Sequence, residues 1–267
     1  MPRIQANGIE IYYELHGPQD DQAPVLVLSN GILMSTASWG LNLPGLAKHL
    51  RVLLYDCRGM WRSEHPVGPY SMDLHATDLA ALLDALHIPQ AIIGGISYGG
   101  EVSLAFALQY PQRTKALLLS SCVSQVDPVL EAAARSWAEA AKVRDPRRLF
   151  EVTAPWNFSD GWTAANHAAI AAAASRYSEL DFDALQELLD CFLKLNLTAE
   201  LPRITAPTLV MVGEQDILKP RRYAEIIANA IPKAQLVVVP GAGHALCLEK
   251  PQIFNSLALG FALQNWN

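Results

Sequence analysis

A serine hydroxyl becomes a useful nucleophile only when a base takes its proton and a third group orients that base. The chain supplies candidates for all three. Gly94-Gly95-Ile96-Ser97-Tyr98-Gly99-Gly100 contains the pattern G-x-S-x-G with Ser97 at its centre. The segment follows a strand-like run and opens a helix-like one. The backbone must therefore turn sharply at Ser97, and small residues two positions to either side avoid clashes in such a turn. The turn sets the hydroxyl at the carboxyl edge of a sheet, where open α/β sheets bind ligands. A phosphate-cradling turn is the competing reading, but neither G-x-G-x-x-G nor G-x-x-x-x-G-K-[ST] occurs here.

For a nucleophile on a strand-to-helix turn the expected chain order is Ser, then acid, then His. Asp216 lies just past the apolar run 208–212, in Gly213-Glu214-Gln215-Asp216. His244 lies just past the run 235–239, in Pro240-Gly241-Ala242-Gly243-His244. His16, His49, His65, His75 and His87 precede Ser97, and His167 precedes the acid. Glu214 competes with Asp216. An acid after the run 115–120 is disfavoured, because Ser120-Ser121-Cys122 follows it and the nearest carboxylate is Asp127. Acyl chemistry also needs donors for a developing oxyanion, each typically worth about 3 kcal/mol in the transition state. The backbone N–H of Tyr98 is one candidate. The N–H of Ile32, after the turn at Gly31, is the other.

The elements that must carry these residues alternate. Residues 9–15, 25–29, 51–55, 90–94, 115–120, 208–212 and 235–239 read as strands, several of them continuously apolar. Leu79, Leu82, Leu83 and Leu86 fall at helical spacing, and 100–109, 221–230 and 250–265 also read as helices. Strand–helix alternation with strands apolar on both faces predicts a mostly parallel sheet covered on both sides. From about 123 to 202 the alternation stops. The segments 128–142 and 163–175 are Ala-rich helix formers. In 181–195, Phe182, Leu185, Leu188, Leu189 and Phe192 make one apolar stripe. This predicts a core of residues 1–122 and 203–267 with a helical cap inserted at 123–202, too long for an ordinary loop.

Composition sets the outer bounds. Of 267 residues about half are hydrophobic and 17% are charged, the balance of a folded domain able to bury a core without metals or disulfides. The net charge of −6 argues against nucleic acid, which needs basic patches. Cys57, Cys122, Cys191 and Cys247 are too scattered for a zinc or redox motif and read as buried thiols. The N-terminal stretch does not read as a signal peptide, and no apolar run reaches the ~18 residues of a transmembrane helix. A cytoplasmic protein without membrane span, metal or cofactor is the expectation, and a homodimer is compatible with it.

With these residues in place, the chain resembles the α/β-hydrolase superfamily over almost its full length. Ser29-Asn30-Gly31-Ile32 through Trp39 is similar to the enol-lactonase and esterase branch, although Asn30 stands where most relatives carry His. The run NGILMSTASW also resembles the acyltransferases that make the lipid half of rhamnolipids. One loop departs from the family pattern D-x-R-G-x-G-x-S. Here it reads Asp56-Cys57-Arg58-Gly59-Met60-Trp61-Arg62-Ser63, with Trp61 in place of a glycine.

The resemblance implies an α/β-hydrolase fold and cleavage, through an acyl-enzyme, of a small or medium ester, lactone or thioester with an apolar acyl part. Asn30, Met34, Trp39, Trp61, Trp137, Trp156 and Phe192 are the candidate pocket residues. A neutral imidazole is required as base, so activity is expected to rise through about pH 6–7. Two other readings stand beside this one. An acyltransferase would pass a hydroxyacyl group from a thioester carrier to a hydroxyl, with Lys219, Arg221 and Arg222 near the mouth, although a solvated helix start also explains those three. A binding or receptor protein would use the scaffold without chemistry, and the complete triad argues against it.

Overall fold

The computed structural model describes residues 2–20 and 22–266. Eight strands form one sheet in the order β1-β2-β4-β3-β5-β6-β7-β8. They are β1 (Arg3–Ala6), β2 (Ile9–His16), β3 (Val25–Ser29), β4 (Arg51–Tyr55), β5 (Ala91–Ile96), β6 (Thr114–Ser120), β7 (Thr208–Gly213) and β8 (Ala234–Val239). β1–β2 and β2–β4 are antiparallel, and the remaining pairs are parallel. The helices are α1 (Leu43–Leu46), α2 (Met72–Ala85), α3 (Tyr98–Gln109), α4 (Pro128–Lys142), α5 (Pro146–Thr153), α6 (Asp160–Ala173), α7 (Phe182–Leu193), α8 (Arg221–Ala230), α9 (Leu246–Glu249) and α10 (Pro251–Asn265).

The continuously apolar strands explain the layering. Successive side chains point to opposite faces, and both faces are buried. Val25, Val27, Leu53, Ile93, Leu117, Leu119, Val210 and Val212 pack with α2, α3 and α8. Leu26, Leu28, Val52, Leu54, Ile92, Leu118, Leu209 and Met211 pack with α1, α9 and α10. Each such side chain contributes about 1.5–3 kcal/mol on burial. The parallel strands all end on one edge, and the loops leaving that edge carry the chemistry. The antiparallel edge strand β1 was not foreseen; four residues are too few for a visible alternation.

Between β6 and β7 the chain runs through α4–α7, which form a cap with its own small core of Trp137, Ala141, Leu149, Phe182, Leu185 and Leu189. Its neck is closed by a bridge that the sequence did not suggest. Gln125 pairs antiparallel with Asn196, and the N–H groups of Val126 and Leu197 donate to the carbonyls of Leu195 and Ser124 at 3.2 and 2.7 Å. The unforeseen α5 starts at an Asp145 cap, whose carboxylate accepts from the N–H groups of Arg147 and Arg148. The expected helix at 163–175 begins earlier, at Asp160, and is interrupted at Asn166 (φ −120°). There the side-chain amide donates to the Trp162 carbonyl at 2.9 Å, competing with the backbone ladder.

Asp181 joins cap to core. One carboxylate oxygen accepts the N–H groups of Asp183 and Ala184 at the start of α7, at 3.0 and 3.1 Å. The other meets His65 Nδ1 at 3.0 Å, in the loop after β4. Burial pushes this carboxyl up, but the two backbone donors and His65 outweigh it and hold it below the ordinary value of 3.8. A depressed carboxyl stabilises the fold above its unfolded value and loses that contribution as pH falls through the folded one. Asp181→Ala is therefore expected to cost about 1 kcal/mol at pH 7. Urea unfolding should show the gap from wild type narrowing as pH drops below the ordinary carboxylate value; a gap that does not narrow there would refute this account.

All four cysteines are buried free thiols. Burial pushes Cys57 and Cys247 up to about 12 and Cys191 to about 11, and raises Cys122 as well. Among the described residues, no helix is long and apolar enough to cross a membrane.

Candidate active site

Ser97 stands between β5 and α3 with φ +54° and ψ −123°, a backbone conformation that costs of order 1–3 kcal/mol for a non-glycine residue. Its surroundings enforce the turn. A Cβ on Gly95 would lie 2.4 Å from the Gly99 carbonyl, and one on Gly99 would lie 2.1 Å from the Ser29 carbonyl oxygen. Both obstacles are backbone, so neither position admits a side chain. The Ser97 N–H donates to the Ser120 carbonyl at 2.9 Å and its own carbonyl accepts from Gly100 at 2.8 Å, fixing the turn against β6 and α3.

Asp216 and His244 come together from the loops after β7 and β8. His244 Nδ1 donates to Asp216 Oδ2 at 2.9 Å, and both side chains are almost wholly buried. Since the carboxylate only accepts, the imidazole proton sits on Nδ1 and Nε2 is free to act as base. Asp216 Oδ1 accepts the N–H groups of Leu218 and Lys219 at 3.0 and 2.8 Å. Burial raises this carboxyl, yet the charge and hydrogen bond of His244, with the Lys219 N–H and ammonium, hold it below its usual range. Glu214, the competing acid, turns away to accept the N–H of Gly241 at 3.0 Å on the surface.

The cap holds the His244 loop. The Ala245 N–H donates to the Asn157 carbonyl at 2.8 Å. Buried Glu249 accepts the N–H groups of both Gly243 and Ser159. The base is thus tied to the cap on one side and to its acid on the other.

Two cavities meet at Ser97. The larger, about 280 Å³, also touches Ile32, Met34, Trp61, Trp137 and His244. The smaller, about 40 Å³, also touches Ile32, Tyr98, Trp137, Phe192 and Lys219. Met34, Trp61, Trp137 and Phe192 therefore line the site, together with both candidate oxyanion donors. Tyr98 is the first residue of α3, so its N–H has no intrahelical acceptor. Its buried hydroxyl lies 2.8 Å from His75 Nε2, which anchors the side chain below the turn. Burial and nearby Arg58 push His75 down to about 3, so it is neutral and accepts from Tyr98.

Three expected pocket residues stand elsewhere. Asn30 is fully buried beneath the loop, where its amide donates to the Tyr55 carbonyl and Asp56 and accepts from Trp39 Nε1 at 2.8 Å. Trp39 is fully buried and packs on Phe254 at 5.8 Å. These two shape the loop that ends in Ile32 without meeting either cavity. Trp156 packs against the cap core. Their polar or aromatic character fits a pocket wall and a core equally well, and only the tertiary packing separates the two.

Trp61 adopts φ +45°, the left-handed region that the family's glycine would occupy without strain. The guanidinium of Arg176, from the cap, lies 4.8 Å from the centre of its ring. Arg176 also donates to Ser35 Oγ at 2.9 Å, so the substituted position walls the larger cavity and links it to the cap.

Sequence reasoning missed Lys219. It was expected at the mouth or at a solvated helix start, and Arg221 and Arg222 do pair on the surface, with Glu225 and Asp127. Lys219 instead is buried, with its ammonium 2.8 Å from Glu101 Oε1 and donating to Ser97 Oγ at 3.2 Å. Ser97 makes no hydrogen bond to His244 in this arrangement. Nothing local marks Lys219, because its partners are more than a hundred positions away.

A family model described as alpha/beta hydrolase fold matches residues 24–251. RutD of Stutzerimonas stutzeri, named for carbamate hydrolysis, is 33% identical over 257 residues, 93% of this chain and 95% of its own. 3-Oxoadipate enol-lactonase 2 of Acinetobacter baylyi is 27% identical, over 94% of this chain and 92% of its own. The crystal structure of the enol-lactonase from Burkholderia xenovorans superposes with a TM-score of 0.91 at 27% identity, covering 98% of this chain and all of that one. None of these supports the resemblance to rhamnolipid acyltransferases. With an elbow serine, an ordered acid and base, and a family match across most of its length, this chain belongs to the α/β-hydrolase fold family.

Proposed function

We propose that the protein hydrolyses small carboxylic esters or lactones through an acyl-enzyme on Ser97, within a core of residues 1–122 and 203–267 capped by 123–202. The observation that carries this reading is the buried Asp216–His244 pair opening onto the same cavity as a strained elbow serine. Ser97 turns from Lys219 to His244, Nε2 takes its proton, and Oγ adds to the carbonyl carbon. The N–H groups of Ile32 and Tyr98 stabilise the oxyanion. As the tetrahedral adduct collapses, the C–O bond breaks and His244 returns the proton to the leaving alcohol. Water then adds to the acyl carbon, giving a proton to Nε2, and Ser97 departs with it.

His244 must reach the leaving oxygen, and it lines only the larger of the two cavities. The alcohol side therefore occupies the larger cavity and the acyl side the smaller. At about 10–15 Å³ for each water-sized body, 40 Å³ accepts about three or four heavy atoms beyond the carbonyl. The names of the relatives, a carbamate hydrolase and an enol-lactonase, support a compact acyl half.

A panel of p-nitrophenyl esters from acetate to decanoate, beside butanoate esters of increasingly bulky alcohols, tests the assignment. Activity is expected to fall about tenfold or more beyond a four- or five-carbon acyl chain, by the cost of overfilling a packed pocket, while bulky alcohols are tolerated. Optimal activity on decanoate would reverse the assignment, and no turnover of any ester or lactone would sink the hydrolase reading.

A further inference from the structure

The smaller cavity holds a charge that simple ester hydrolysis does not require. Its lining is otherwise apolar apart from the Ser97 hydroxyl, the buried Tyr98 and the Trp137 indole N–H, yet Lys219, 4% exposed, reaches into it. The ammonium meets Glu101 Oε1 at 2.8 Å, Ser97 Oγ at 3.2 Å and the Phe192 ring at 4.8 Å from its centre. Glu101 is itself fully buried; Oε1 also accepts the Val123 N–H at 3.0 Å, and Oε2 has no partner among the described residues. Well-packed apolar side chains would hold this place at no cost in stability, whereas a buried pair with open hydrogen-bonding capacity carries a desolvation penalty.

Catalysis itself uncovers one of the Lys219 donors. When Ser97 turns toward His244 and attacks, Oγ can no longer serve as an undistracted acceptor for Nζ. At that moment the acyl chain lies in the same cavity. A purely alkyl chain leaves a buried donor without its partner, and a chain bearing an oxygen replaces it. With bonds of about 1.5 Å, an oxygen on the third acyl carbon falls about 3–4 Å from Oγ, on the scale of the Nζ–Oγ separation and within reach of Nζ. Glu101 already neutralises Lys219, so a neutral oxygen fits better than a carboxylate, which would add an uncompensated negative charge beside Glu101.

We propose that the smaller cavity is a subsite for 3-hydroxy- or 3-oxoacyl groups, with Lys219, held by Glu101, donating to the oxygen on the third carbon. This rests on the hydrolase reading above and on the placement of the acyl side in that cavity. Lys219 thereby acts as a specificity-determining residue.

The test compares two isosteric substrates, the p-nitrophenyl esters of 3-hydroxybutanoate (each enantiomer) and 3-methylbutanoate, which differ by hydroxyl against methyl. Their ratio of alkaline hydrolysis rates supplies the baseline. In the wild type, kcat/KM for one hydroxy enantiomer should exceed that for the methyl ester by about 10–100-fold above baseline, the discrimination a site built to bond a hydroxyl achieves. In the double variant Lys219→Met with Glu101→Gln, which removes both charges together, the ratio should fall to baseline, whatever the absolute rates. A purely structural role for the pair would lower both rates and leave the ratio. A wild-type ratio at baseline overturns the subsite while leaving the hydrolase reading intact. A preference that survives in the double variant overturns the role of Lys219. No turnover of either ester overturns the subsite, and the hydrolase reading falls with it only if the whole ester panel is inert. Should the double variant not fold, Lys219→Met alone carries the same comparison of ratios, and a preference that survives in it overturns the role of Lys219.

Discussion

Ser97→Ala is expected to lower kcat for ester hydrolysis by about a million-fold and to abolish labelling by a fluorophosphonate probe. The size of the effect follows from the geometry. Removing the nucleophile leaves the oxyanion donors and the cavities in place, so substrate still binds, but no covalent intermediate forms. The fold should tolerate the change. Alanine has the same Cβ and meets the same left-handed strain at φ +54°, and among the described residues the side-chain hydrogen bond that is lost is the one from Lys219. The measurement is kcat on the best ester of the panel, with thermal unfolding as a check on folding. More than 1% residual activity in a folded variant would show that Ser97 is not the nucleophile.

Asp216→Asn should lower kcat by about ten-thousand-fold, in line with the same change in other Ser-His-Asp enzymes. Here the direction can be read from the hydrogen bonds. Asp216 Oδ1 receives two backbone N–H groups, from Leu218 and Lys219. In the asparagine variant the carbonyl oxygen takes that side, because an amide NH₂ facing two donors would be unsatisfied. The NH₂ then points at His244 Nδ1 and makes it an acceptor. The imidazole proton moves to Nε2, where the base should be. The loss is one of tautomer rather than of position, so KM should change little while kcat collapses. Glu214→Gln, on the surface with its carboxylate accepting the Gly241 N–H, serves as the control and should retain wild-type activity. Equal loss in both variants would dismiss Asp216 as the orienting acid.

The catalytic triplet was legible because each member sits where backbone rules operate. An elbow needs glycines at fixed offsets, and the acid and base follow apolar strands that any periodicity reading finds. The walls of the site were not legible on the same terms. Trp39, Trp61 and Trp137 look alike in sequence. One is locked in the core by Asn30, one bends into a glycine's conformation under Arg176, and one lines both cavities. Which role each takes depends on contacts made from distant segments. Lys219 is the extreme case. A lysine two residues before a helix start reads as solvated, and only the meeting of the β7 loop with α3 shows it buried against Glu101. The cap was visible as a region without alternation, while the Gln125–Asn196 bridge at its neck involves single residues that carry no pattern at all.

The four buried thiols have a practical corollary. With pKa values raised by burial, they hold their protons near neutral pH, and a maleimide, which reacts with thiolates, would leave them alone. Cysteines introduced at Val129 on α4 of the cap and at Ile253 on α10 of the core, both exposed, would react instead. A donor and an acceptor dye placed there would form a molecular ruler between cap and core. Energy transfer between them would report whether the separation of cap and core changes during turnover, in a chain whose native cysteines need not be removed first.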